Sequence, residues 1–88
     1  MNYITYQIAG TFPIDQELIT LIPYDIQYIN KIGIQLEPTE SIVLNNNKIM
    51  IGNTGKLEVE NTQITSIKLH SINKSTLPVI IDMICCIE

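Results

Sequence analysis

The sequence contains no arginine and no tryptophan, a single histidine, and only two cysteines, which are adjacent. Its cations are five lysines scattered along 88 residues, set against nine carboxylates. Nucleic-acid binding rests on clustered cations that neutralise phosphates, so no nucleic-acid partner is expected. Two neighbouring cysteines cannot supply a disulfide framework, and on a strand they point to opposite faces, where a bridge between them would be strained. They are expected as free thiols of a reducing compartment. One histidine beside a Cys-Cys pair offers no zinc-ligand spacing, so no metal and no cofactor is expected. The longest nearly apolar run, Pro78 to Ile87, has ten residues and is broken by Asp82. A membrane helix needs about 20, so no membrane partner is expected. Met1 to Tyr6 lacks the basic and apolar regions of a signal peptide, so synthesis and initial residence in the cytoplasm are expected.

What the chain does have is apolar surface. Hydrophobic residues make up 45%, nineteen of them isoleucine, and charged residues only 16%. That composition excludes disorder and suits one domain spanning 1–88. Residues 3–9 alternate, with Ile4, Tyr6 and Ile8 on one face and Tyr3, Thr5 and Gln7 on the other, the pattern of a half-buried strand. Residues 14–22 fit either a helical stripe or a short strand. Asp25 to Gly33 reads as a helix: Asp25 as N-cap, Ile26, Ile29 and Ile32 along one face, Gly33 at the C′ position, and Tyr24 with Ile29 as a hydrophobic staple. This short α-helix, near 25–32, is expected to pack over one edge or end of a sheet.

Beyond Pro38 short strands alternate with turns. The turns are expected at Asn45-Asn46-Asn47, at Gly52-Asn53-Thr54-Gly55 and at Asn61-Thr62, and the strands at Ser41–Leu44, Lys48–Ile51, Leu57–Glu60, Gln63–Ser71 and Val79–Ile87. The fold class is therefore mainly β: a small antiparallel β-sandwich or partly closed barrel with one short helix. Its core is expected to hold Ile4, Tyr6, Ile8, Ile49, Ile51, Leu57, Val59, Ile67, Leu69, Ile81 and Met83.

Catalytic chemistry finds no foothold in the residue pattern. His70 falls on the polar side of its strand, and no Ser or Cys is flanked in the manner of a nucleophile motif. Gly52-Asn53-Thr54-Gly55 lacks the Lys-Ser/Thr ending of a phosphate loop and joins strand to strand. The carboxylates are spread along outward positions. The sequon Asn73-Lys74-Ser75 has no secretion signal to accompany it. No catalytic residue and no small-molecule substrate is expected. Sugar binding favours exposed aromatics, and Tyr3 is the candidate ligand contact.

The closing strand is apolar on both faces. Val79, Ile81, Met83, Cys85 and Ile87 should face the core, yet the opposite side carries Ile80, Asp82, Ile84 and Cys86, polar only at Asp82. A strand apolar on both faces needs cover on both. Unless the helix covers it, this second face is a candidate interface, with Asp82 needing a lysine, an N–H group or water to offset its desolvation.

The run Ile49-Met50-Ile51-Gly52-Asn53-Thr54-Gly55-Lys56-Leu57-Glu58-Val59, the following Ile64-Thr65-Ser66-Ile67, and the closing Val79-Ile80-Ile81-Asp82-Met83-Ile84 together resemble a pattern in small structural proteins encoded by phages and prophages of Firmicutes. Ile32-Gly33-Ile34 and Pro38 are consistent with it, so the resemblance covers roughly the last 55 residues. Leu57 stands where many of those proteins carry Tyr. The resemblance implies a virion structural protein, such as a capsid decoration, baseplate or fibre-associated domain. It would be made in the host cytoplasm and carried into the virion, with itself or other virion proteins as partners. Two alternatives stand beside it: a carbohydrate- or host-surface-binding module contacting through Tyr3, and a small cytoplasmic adaptor or inhibitor encoded by a mobile element.

Overall fold

Isoleucine is β-branched and stiff at χ1, and nineteen of them push the backbone toward extended structure wherever turns permit. A computed structural model describes residues 2–87. Among these residues seven strands form two antiparallel sheets: β1 (Asn2–Pro13), β2 (Ile26–Leu36), β3 (Ser41–Leu44), β4 (Asn47–Met50), β5 (Lys56–Ile64), β6 (Ile67–His70) and β7 (Thr76–Ile87). One sheet has the order β1-β7-β2-β5 and the other β4-β3-β6. The expected mainly-β, sandwich-like class is what the chain adopts.

The core lies between the sheets. Ile8, Ile32, Ile34, Ile81, Met83 and Cys85 from the larger sheet meet Ile42, Leu44, Ile67 and Leu69 from the smaller. Of the eleven residues expected in the core, Ile8, Ile51, Ile67, Leu69, Ile81 and Met83 belong to this buried cluster, while Ile4, Tyr6, Ile49, Leu57 and Val59 are partly buried and pack against it. Residues 14–22, open on periodicity, contain a 3-10 turn at Leu18–Leu21, and Leu18 is fully buried there. The Glu17 carboxylate fixes this turn to β6 by accepting from the Ile67 N–H at 2.7 Å and the Ser66 hydroxyl at 2.6 Å.

The α-helix expected near 25–32 does not form. Those residues enter β2, an interior strand paired with both β7 and β5. The register against β7 shifts between Ile26 and Tyr28 and again between Ile29 and Lys31. Each bulge inserts one residue and reverses the parity of the strand. Ile26, Ile29 and Ile32 consequently all oppose inward residues of β7, namely Ile87, Cys85 and Met83. A twice-bulged strand thus reproduces the three-residue spacing of a helical stripe. The expected staple is absent too: the Tyr24 ring packs edge-on against Tyr6, with centroids 6.0 Å apart. Gly33, expected as a helix terminator, lies mid-strand between Asp82 and Glu58.

The turns follow residue chemistry with one exception. Asn45 and Asn46 have φ of 50° and 69°, the two positive values that a two-residue hairpin turn requires. Asn45 also ties this turn to the β5–β6 connection. Its side-chain carbonyl accepts from the N–H groups of Thr65 (2.7 Å) and Ser66 (3.2 Å), and its amide donates to the Gln63 carbonyl at 2.7 Å. Gly55 sits at φ 71°, where a Cβ would lie 3.1 Å from the Leu36 carbonyl oxygen. Asn61-Thr62, expected as a turn, instead lies within β5. Asn61 takes φ 57° in a bulge, where five β5 residues from Glu60 to Ile64 lie against three of β2 from Lys31 to Ile29. The chain turns later, at Thr65-Ser66, which divides the expected Gln63–Ser71 strand.

Candidate functional site: the outer face of the four-stranded sheet

The antiparallel registers assemble the outer face row by row. Gln7, Asp82, Gly33 and Glu58 lie side by side across the four strands. Thr5, Ile84, Lys31 and Glu60 form the next row, and Ala9, Ile80, Gln35 and Lys56 the row on the other side. Tyr3, Cys86 and Tyr28 complete the set beyond Ile84. The sequence-level candidates Ile80, Asp82, Ile84, Cys86 and Tyr3 are therefore brought together on one surface.

Among the described residues no helix lies over that surface. The element expected as cover is β2, which contributes Lys31, Gly33 and Gln35 to the face itself. Ile80 is 38% exposed on an interior strand, and Ile84 is half-buried. Cys86 is completely buried although it lies on the side of β7 away from the core. Tyr3 and Tyr28 flank it from β1 and β2, and their hydroxyls meet at 3.3 Å. With the Tyr28 hydroxyl hydrogen-bonded to its thiol, Cys86 is a covered residue between the two tyrosines. The hydrogen bond with Tyr3, followed by that with Cys86, favours the neutral hydroxyl of Tyr28 and pushes it above its ordinary pKa. Tyr3 remains 53% exposed.

Asp82 has the partner that its position demands. The Gln7 amide donates to its carboxylate at 2.8 Å. Between the side chains of Gln7, Asp82, Lys31, Gln35 and Glu58 lies an open depression of about 520 Å³, floored by Gly33. A Cβ at Gly33 would meet nothing within 4 Å, so the missing side chain is what deepens the face there. Lys31 pairs with Glu60 at 3.2 Å across the strands, an exposed contact of small energetic weight. Tyr28, Lys31 and Gly33 were hidden from sequence reasoning by the helical reading of Asp25 to Gly33, and Gln35 lay beyond that segment in no expected element. Gln7 was visible as the outward neighbour of Thr5 on β1.

His70 lies elsewhere. It sits on the outer side of the smaller sheet opposite Ser41, in a smaller depression of about 300 Å³ beside Met50 and Ile72. Cys85 is buried in the core, and burial pushes its thiol above the ordinary value. Among the described residues no group of three or more His, Cys, Asp or Glu is placed to hold a metal ion, and no helix is long and apolar enough to cross a membrane. Compared with protein-family profiles, with curated proteins and with solved structures, the chain matches none.

Proposed function

We propose that this chain is a non-enzymatic structural subunit of a phage or prophage virion, docking onto another virion protein through the outer face of its four-stranded sheet. The observation that supports this reading is the exposed Ile80 beside half-buried Ile84 on β7, an interior strand. Apolar side chains in the middle of a sheet face are stabilised by being covered. Asp82 between them already accepts a hydrogen bond from the Gln7 amide, which offsets part of the desolvation that covering the row imposes. The rim of Lys31, Lys56, Glu58 and Glu60 offers both signs of charge for orientation. The resemblance of the last 55 or so residues to phage and prophage structural proteins supports the same class. The chain would be made in the host cytoplasm and carried into the particle. The test is incorporation: particles purified from the encoding phage should contain the chain, and Ile84→Lys, folded by circular dichroism, should be missing from them. Particles lacking the wild-type chain, or containing the variant at wild-type level, refute the proposal.

A second reading rests on Tyr3 and Tyr28. An exposed aromatic ring beside a depression lined by amide and carboxylate groups is also a surface suited to a saccharide. Binding on a glycan array that is lost in Tyr3→Ala would favour it over protein docking.

A further inference from the structure

The two edges of the four-stranded sheet are built differently. β5 carries Lys56, Glu58 and Glu60 and is bent by the bulge at Asn61. Charges and bulges are the devices by which natural sheets keep other strands off an open edge. β1 has neither. From Asn2 to Phe12 it holds no charged residue, and its one proline, Pro13, is the last residue of the strand. Its register against β7 runs unbroken from Asn2↔Ile87 to Pro13↔Thr76. Only β7 neighbours β1 in the sheet, and between Ile4 and Thr11 no other described element pairs with it. Alternate N–H and C=O groups of that stretch therefore face outward in an extended, regular row.

We propose that the outer edge of β1 is the docking site for a second copy of this chain. The two β1 strands pair antiparallel about a two-fold axis, and the two four-stranded sheets join into one of eight strands. Three features select a second copy as the occupant. The strand is uncharged, so self-pairing sets no like charges opposite each other in any register. A two-fold axis perpendicular to the sheet keeps inner faces on one side, and with the axis beside Tyr6 it sets Ile4 opposite the second copy's Ile8 and Thr5 opposite its Gln7. Apolar residues then continue the core row, and a slip of one residue would break that match. Finally, main-chain hydrogen bonds supply the affinity in strand addition, while matching alternation supplies the selectivity, and a second β1 matches the first by construction. This contact uses the edge and leaves the outer face free for the docking proposed above.

Light scattering on the purified chain, with two lysine variants, tests the inference. The wild type should have twice the 10.0 kDa mass of one chain. Thr5→Lys combined with Ala9→Lys charges two exposed positions of β1 and should return the mass to a single chain with an unchanged circular dichroism spectrum. Ile84→Lys, on the face and away from the edge, should remain a dimer. A wild type that stays monomeric at millimolar concentration overturns the proposal, as does a folded double-lysine variant that stays dimeric. Dissociation by Ile84→Lys also overturns it and assigns the contact to the sheet face. Should the double-lysine variant unfold, amide exchange on the wild type decides: β1 amides must become more protected as concentration rises, and unchanged protection refutes the edge. None of these results bears on incorporation into particles, which tests the docking face separately.

Discussion

The hydroxyl groups of Tyr3 and Tyr28 lie 3.3 Å apart although the strands that carry them are separated by β7. Cys86 sits between them in both registers and is fully buried. Removing one ring should uncover the thiol. In Tyr3→Ala, alkylation of Cys86 should speed up many-fold, while Cys85, buried on the core side of the same strand, should react as slowly as in the wild type. Peptide mapping after timed alkylation distinguishes the two. Equal rates at both cysteines in the variant would mean that the tyrosines do not form the cover.

The floor of the outer-face depression gives a test with the opposite sign from most substitutions. Gly33 lies inside a strand, where glycine is about 0.5–1 kcal/mol less favourable than alanine, and a Cβ there meets no atom within 4 Å. Gly33→Ala should therefore raise the denaturant midpoint slightly. Ile81→Ala, fully buried in the core cluster on the neighbouring strand, should lower stability by about 2–5 kcal/mol. A clear loss of stability in Gly33→Ala would show that the face is covered.

Asn45 combines a left-handed backbone with side-chain bonds that reach the β5–β6 connection. Asn45→Gly keeps the backbone freedom and removes the bonds, while Asn45→Ala removes both. The glycine variant should lose about 1–3 kcal/mol, the range for unsatisfying polar groups that a side chain had paired. The alanine variant should lose more, since positive φ disfavours a Cβ. Chemical denaturation of the pair measures the difference, and equal losses would contradict a role for the backbone conformation at φ 50°.

Burial of Cys85 makes stability depend on alkaline pH. Desolvation raises its thiol pKa above the ordinary 9.0, because the folded chain disfavours the thiolate. Below the ordinary value both folded and unfolded chains hold the proton and this contribution is present in full. As pH rises beyond it, the unfolded chain ionises first, and stability falls until the folded value is passed. The raised Tyr28 hydroxyl acts in the same direction at still higher pH. Cys85→Val should flatten the decline in denaturant midpoint between neutral pH and pH above 9. An unchanged slope would place its origin elsewhere.

How far the chain could be read depends on whether each property is local. Alternation reports which side of an extended segment avoids water, and this needs no knowledge of neighbours. For that reason β1, β6, β7 and the first half of β5 were legible, as were the buried core residues Ile8, Ile51, Ile67, Leu69, Ile81 and Met83 and the turn at Asn45-Asn46. The doubly apolar character of β7 was also local, and it marked Ile80, Asp82 and Ile84 as an outer face before any partner strand was known. Bulges are not local in this sense. Those at 26–28 and 29–31 in β2 arise from pairing with β7, and they give a strand the spacing of a helix. The bulge at Asn61 likewise gives strand residues the composition of a turn. Only the tertiary structure could set Tyr3 and Tyr28 on either side of Cys86 and place Gln7 against Asp82 seventy-five residues away. Those neighbours are chosen by the order β1-β7-β2-β5. That order follows from how all the strands bury their apolar sides together, which no single segment encodes.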